Sequence, residues 1–158
     1  LSEGFAYAAK SGADVVVTFD ADGQHAPSDV EHVVKPILNE TASIVVGRRP
    51  APARPAERLF AGYAKRRLGI DDPPSGFKAY DVAVYKGIGY FDKYSSIGTH
   101  LMFAAAKRGY SVVQVDIDIT EREDEPRFGH FRANWSMIKA LARIILYDVQ
   151  TEILRPDR

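Results

Sequence analysis

Apolar residues along this chain follow two rhythms that alternate with each other: short unbroken β-branched runs, and longer stretches with apolar residues three and four apart. Residues 2 to 11 are rich in Ala and short on breakers, and Gly12 follows them, so the pattern predicts a helix ending there. Val15, Val16, Val17, Thr18 and Phe19 form a run without alternation, as in a strand buried on both faces of a parallel sheet. Val30, Val33, Val34, Ile37 and Leu38 return to helical spacing behind Pro27, Ser28 and Asp29, which suit a first turn. Ala42 to Val46 read as a second short strand closed by Gly47. Strand, helix and strand within this length make a βαβ unit, and the expected fold class is layered α/β.

Three prolines between Arg48 and Pro55 leave only a loop. Ala56 to Leu68 is helical in composition and Gly69 ends it; Asp71, Asp72, Pro73 and Pro74 then make a rigid loop before Ser75, Gly76 and Phe77. Asp81 caps a predicted short helix over Val82 to Lys86, and Thr99 a longer one running to Gly109. Val113 to Ile119 alternates as a half-exposed strand. A charged segment from Glu121 to Arg132 precedes a helix from Asn134, in which Trp135, Ile138, Ala142, Ile145 and Val149 share one face.

Composition narrows the chemistry. The absence of cysteine removes thiol nucleophiles, disulfides, iron–sulfur clusters and Cys-ligated zinc. Lys plus Arg and Asp plus Glu both count 21, so any electrostatic argument has to be local. From Arg48 to Arg67 the basic residues Arg48, Arg49, Arg54, Arg58, Lys65, Arg66 and Arg67 face only Glu57, a local excess suited to an anionic ligand or an anionic membrane surface. A Walker A lysine, a Gly-x-Ser-x-Gly elbow and a complete dinucleotide glycine loop are all missing from the sequence.

The segment Phe19-Asp20-Ala21-Asp22-Gly23-Gln24-His25 follows a predicted strand directly, at the position where open α/β sheets bind ligands. Two carboxylates one residue apart, with Gly23 freeing the turn, can converge on a hard cation such as Mg or Mn that keeps sites for water and phosphate oxygens. A bare Asp-x-Asp is equally a loop whose carboxylates bond their own backbone. A calcium EF-hand is excluded, because His25 stands where that loop requires Gly. His25 itself reads as a hydrogen-bonding residue or an outer ligand, while His32 and His100, with no ligand spacing, read as structural.

The run from Val15 to Val30 resembles the metal-binding segment of family 2 glycosyltransferases of the GT-A fold. Asp72-Pro-Pro-Ser-Gly-Phe-Lys78 is similar to the Asp-Pro-Thr-Ser-Gly-Phe-Arg element of the dolichyl-phosphate mannose synthase and polyprenyl-phosphate glycosyltransferase branch, and Ile44 to Arg49 to the strand and arginine turn between the two. The resemblance implies a three-layer α/β/α GT-A fold. It makes residues 1 to 158 a single domain, the C-terminal portion of the catalytic domain, with the N-terminal donor-binding part missing. It implies that Asp20, Asp22 and Gln24 hold Mg or Mn and the donor diphosphate. Arg48, Arg49 and Arg58 would hold an acceptor phosphate above the Ser75–Gly76 turn. Arg127, in a loop where His130 departs from the family's usual Ser, would meet the phosphates, with Asp22 and Arg127 as the catalytic pair.

The implied reaction moves a hexose from a nucleotide-sugar donor to a polyprenyl or dolichyl phosphate, with inversion, on the cytoplasmic face of a membrane that the protein touches peripherally. Nucleic acid is not among the expected partners. A second copy is, through a strand edge left unpaired. Two other readings stand beside it: transfer to a sugar hydroxyl, and a non-catalytic metal- or nucleotide-binding module. A hydroxyl acceptor needs a base at the start of the helix beginning Gly98-Thr99-His100, where no carboxylate stands.

Overall fold

The computed structural model describes residues 1–20, 25–50, 55–94, 96–119 and 130–153. Its elements are α1 (Ser2–Lys10), β1 (Val15–Thr18), α2 (Asp29–Leu38), β2 (Ile44–Arg48), α3 (Pro55–Leu68), β3 (Lys78–Asp81), α4 (Val82–Ile88), α5 (Thr99–Lys107), β4 (Val112–Asp116) and α6 (His130–Ile153). Among the described residues the strands form one sheet in the order β1-β3-β2-β4. β4 runs parallel to β2, while β3 runs antiparallel to both β1 and β2.

That order corrects the reading of β1. Val15, Val16 and Val17 are half-buried at an outer position of the sheet, and their described partner is antiparallel β3. The unbroken run arises because both faces still meet helices: Val15 and Val17 pack toward α2, and Val16 packs toward the opposite layer. The β1–α2–β2 crossover exists, but it skips one strand position, which β3 fills from 30 residues further along the chain. β3 carries no strand signal of its own; its four residues, KAYD, are too short and mixed to show one.

The layers follow from the two cores. On one face Val33 and Ile37 of α2 pack on Val45, Phe77, Ala79 and Ile117. On the other, Phe5, Phe60, Ile70, Tyr80, Leu101, Phe103 and Ile144 bring α1, α3, α5 and α6 onto Ile44 and Val46. The expected three-layer α/β/α architecture is thus present. Asp81 caps α4 as predicted, its Oδ1 accepting from Ala83 N at 2.7 Å. Thr99 does not cap α5; Gly98 holds that position in the left-handed region, and Thr99 Oγ1 donates instead to Pro73 O at 2.8 Å.

The last helix departs most from expectation. Of the predicted face Trp135, Ile138, Ala142 and Val149 are exposed and Ile145 is half-buried; Ala140, Ile144 and Asp148 are the buried positions. Hydrophobic spacing cannot tell two apolar faces of one helix apart, and here Asp148 decides the matter by charge.

Candidate active site

The described candidate residues gather at one edge of the sheet because strand polarity puts them there. Asp20 follows the C-terminal end of β1, Arg49 that of β2 and Asp118 that of β4, while antiparallel β3 begins at the same edge and brings Ser75 and Gly76 just before it. This is the edge where α/β sheets bind ligands.

Asp20 is exposed, and its carboxylate lies against the backbone of Gly76: a Cβ built on Gly76 would overlap Asp20 Oδ2. Fifty-six residues apart in sequence, the two motifs are one site in space. The Ser75–Gly76 turn is fixed from below. Gly76 O accepts from Thr18 Oγ1 at 2.7 Å, Ser75 O accepts from the Lys78 ammonium, and Phe77 N donates to Ser75 Oγ at 3.2 Å. Ser75 is fully buried with its hydroxyl folded into its own turn, so its role is the shape of the turn.

Arg49 donates from Nε and Nη2 to the two oxygens of Asp72 at 2.8 and 2.9 Å, and from Nη2 to Glu57 Oε2 at 3.3 Å. Its backbone N–H also donates to Asp72, at 3.1 Å. Burial pulls the Arg49 pKa down, but the hydrogen bonds and charge of Asp72, with Glu57 and Asp20 behind it, hold it above its ordinary value. Arg48 is bidentate to Asp116, at 2.5 and 2.8 Å, and reaches Asp71 at 3.2 Å. Asp71, bonded by Lys65, Gln114 and Arg48, is held down to about 2. Arg58 is exposed on α3. The cationic excess read along the sequence is therefore smaller in space: Asp71 and Asp72, just past the block, and Asp116, from β4, come to it. A cavity of about 480 Å³ opens among Arg48, Arg49, Lys65, Asp71, Asp72 and Asp118.

Lys78, quoted in the sequence motif but not singled out there, is the buried cation of the site. It is fully buried, and burial lowers its pKa to about 7 against the raising influence of Asp72, Asp20 and Asp92. Two carbonyls hold its ammonium, those of Ser75 and Ile97. Asp72 and Glu57, also buried, were missed as site residues because only the fold places them beside Arg49. Asp22, Gln24 and Arg127 lie outside the described residues. Among the described residues no three His, Asp or Glu side chains meet as a metal cluster.

His25 is buried between Phe19 and Phe77, and its Nδ1 finds no partner among the described residues. His100 is packed by Tyr90, Tyr94 and Tyr147 and is 1% exposed, consistent with a structural residue. Burial pushes its pKa down to about 4.

Residues 1–96 match the family described as glycosyl transferase family 2. The chain belongs to that family. An undecaprenyl-phosphate mannosyltransferase of Micrococcus luteus is 31% identical over 136 residues, covering 76% of this chain and 55% of the relative. A polyprenol monophosphomannose synthase of Mycolicibacterium smegmatis is 31% identical over 140 residues, covering 76% and 51%. A UDP-N-acetylglucosamine–dolichyl-phosphate N-acetylglucosaminyltransferase of Methanococcus voltae is 60% identical over 38 residues, 24% of this chain and 15% of the relative. The chain thus spans about half the length of the first two and a smaller part of the third.

Among solved structures, glucosyl-3-phosphoglycerate synthase from Mycobacterium tuberculosis, in complex with Mn2+, uridine diphosphate and phosphoglyceric acid, superposes with a TM-score of 0.70 at 18% identity. That match covers 91% of this chain and 51% of the synthase. It shows the fold, which is GT-A.

Proposed function

We propose that the full-length protein transfers a hexose from a nucleotide-sugar donor to a polyprenyl phosphate, with inversion at the anomeric carbon and with Mg or Mn required. The observation that carries this reading is the meeting of Asp20 with Gly76, which joins the donor-side and acceptor-side segments into one site. The site fits a divalent ion: Asp20 is an exposed hard ligand seated on a glycine that leaves it room, and Asp22 and Gln24 follow it in sequence. When bound, the metal would neutralise charge developing on the leaving diphosphate.

The chain's own residues supply the rest. Lys78 and Thr18 hold the turn on which Asp20 rests. Asp72 and Glu57 fix the plane of Arg49 and present that guanidinium, with Arg48 and Arg58, to the acceptor phosphate. The names of the Micrococcus and Mycolicibacterium relatives agree with such an acceptor. A phosphate acceptor is also favoured over a hydroxyl because, among the described residues, the start of α5 offers no free base. His100 is buried with its pKa lowered, and Asp92 accepts hydrogen bonds from Tyr94 N, Ser96 N and Ser96 Oγ.

Peripheral contact with the cytoplasmic membrane face belongs to the same reading. Trp135, Ile138, Leu146 and Val149 are exposed along α6 with Lys139 and Arg143 beside them, a face suited to lie in a headgroup layer. No helix among the described residues is long and apolar enough to cross a membrane.

The test incubates the full-length protein with UDP-glucose, UDP-N-acetylglucosamine or GDP-mannose and undecaprenyl phosphate, with Mn2+ or with EDTA. Transfer with Mn2+ that EDTA abolishes is the expected result. Glycosylation of undecaprenol or an oligosaccharide in place of the phosphate would overturn it.

A further inference from the structure

Ile97 sits in the left-handed region at φ 52°, a conformation that β-branched side chains rarely adopt. Gly98 beside it is left-handed too, at no steric cost because it has no Cβ, and an added Cβ there would meet the Tyr80 hydroxyl. Glycine or asparagine at position 97 would carry the turn without the steric cost. The surroundings force the conformation on isoleucine. Asp92 Oδ2 accepts from Ser96 N at 2.5 Å and Gly98 N at 3.4 Å on either side of it. From beneath, Lys78 Nζ donates to Ile97 O at 3.1 Å.

The side chain joins neither core cluster, and two fifths of it stays in solvent: Ile97 is 40% exposed. Backbone strain that the surroundings over-determine, on a residue whose side chain does not serve the core, points to a contact made with something outside the chain. The location says what. The same ammonium that holds Ile97 O also holds Ser75 O, so Ile97 stands one ammonium away from the turn on which the Asp20 carboxylate rests.

We propose that Ile97 is a specificity residue of the acceptor, held by Lys78 so that its side chain meets the apolar chain next to the acceptor's phosphate. The inference rests on the transfer proposed above. Of the two reactants in that transfer, the polyprenyl phosphate alone carries a long hydrocarbon chain for an exposed isoleucine to cover.

The test uses the full-length protein, the nucleotide sugar that the wild type turns over, and citronellyl phosphate as a short soluble acceptor. Ile97→Asn removes the apolar contact and relieves the strain. It should raise the acceptor KM about tenfold, as expected for losing the apolar contact made by the exposed part of one isoleucine. Donor KM and kcat at saturating acceptor should stay within about twofold, and Tm should hold or rise. Ile97→Leu, which keeps the hydrocarbon, should keep the acceptor KM. An unchanged acceptor KM in Ile97→Asn, or a lowered Tm that marks Ile97 as a packing residue, overturns this inference while leaving the transfer standing. A wild type inert toward every polyprenyl phosphate overturns the transfer itself, and this inference with it.

Discussion

At its N-terminal end α3 presents Glu57 to Arg49, which Asp72 also grips; near its C-terminal end it presents Tyr63 and Arg67 to Asp148, which Lys107 also grips. In the first cluster a cation sits between carboxylates, and in the second a carboxylate sits between cations. Asp148 is buried, with Tyr63 Oη at 2.5 Å, Arg67 Nε at 2.7 Å and Lys107 Nζ at 2.8 Å. Burial would raise its pKa, but the bonds from Lys107, Tyr63 and Arg67 hold it below the usual carboxylate range. Its bonds reach side chains of two other helices, so it locks α6 against α3 and α5. At the other end the buried acids orient one guanidinium, and the remaining carboxylate, Asp20, is exposed and rests on backbone. A closed cluster serves cohesion; one with an exposed member can take a ligand.

The largest effect should come from breaking the closed cluster. Asp148→Ala leaves Arg67 and Lys107 facing each other without their shared anion, and should cost about 3–5 kcal/mol in urea unfolding. A loss below about 1 kcal/mol would mean that α6 is held by its apolar contacts alone.

Gly76→Ala probes the open end. The new methyl overlaps the Asp20 carboxylate and forces it off the turn, costing about 1–3 kcal/mol of stability as overpacking. Calorimetry of the full-length protein with Mn2+ and a nucleoside diphosphate should show metal affinity falling at least tenfold. Unchanged affinity would detach the turn from the metal side of the site.

His100 lies between the two ends, among Tyr90, Tyr94 and Tyr147, with Asp92 and Lys93 the charges that act on it. Its pKa is lowered to about 4, so between there and its ordinary 6.5 the folded state binds fewer protons than the unfolded state. Its contribution is therefore fully present above 6.5 and lost as pH falls toward 4, at up to roughly 1.4 kcal/mol per pH unit. Denaturation midpoints measured across that window should fall in the wild type and fall less in His100→Phe.

The smallest effect belongs to the outer face of α6. Trp135→Ser should change stability by no more than about 0.5 kcal/mol, because the side chain is exposed. It should nevertheless reduce co-flotation with anionic phospholipid vesicles. Flotation equal to wild type would remove this face from the membrane reading.

The sequence by itself determined the elements that speak in local code. Helical spacing gave α2, the β-branched run gave β1, Asp81 gave its own cap, and the order of Asp20, Arg49 and Gly76 named the family and the parts of a site. Tertiary structure decided what depends on distance across the chain. Only β3, inserted antiparallel between β1 and β2, brings Gly76 under Asp20 and Lys78 under both Ser75 and Ile97. Only folding sets Asp71, Asp72 and Asp116 against a segment that reads as strongly basic, because Coulomb energy depends on separation in space and not along the chain. The same holds for α6: its apolar residues lie on more than one face, and the cations and tyrosine waiting on α3 and α5 turn the Asp148 face inward.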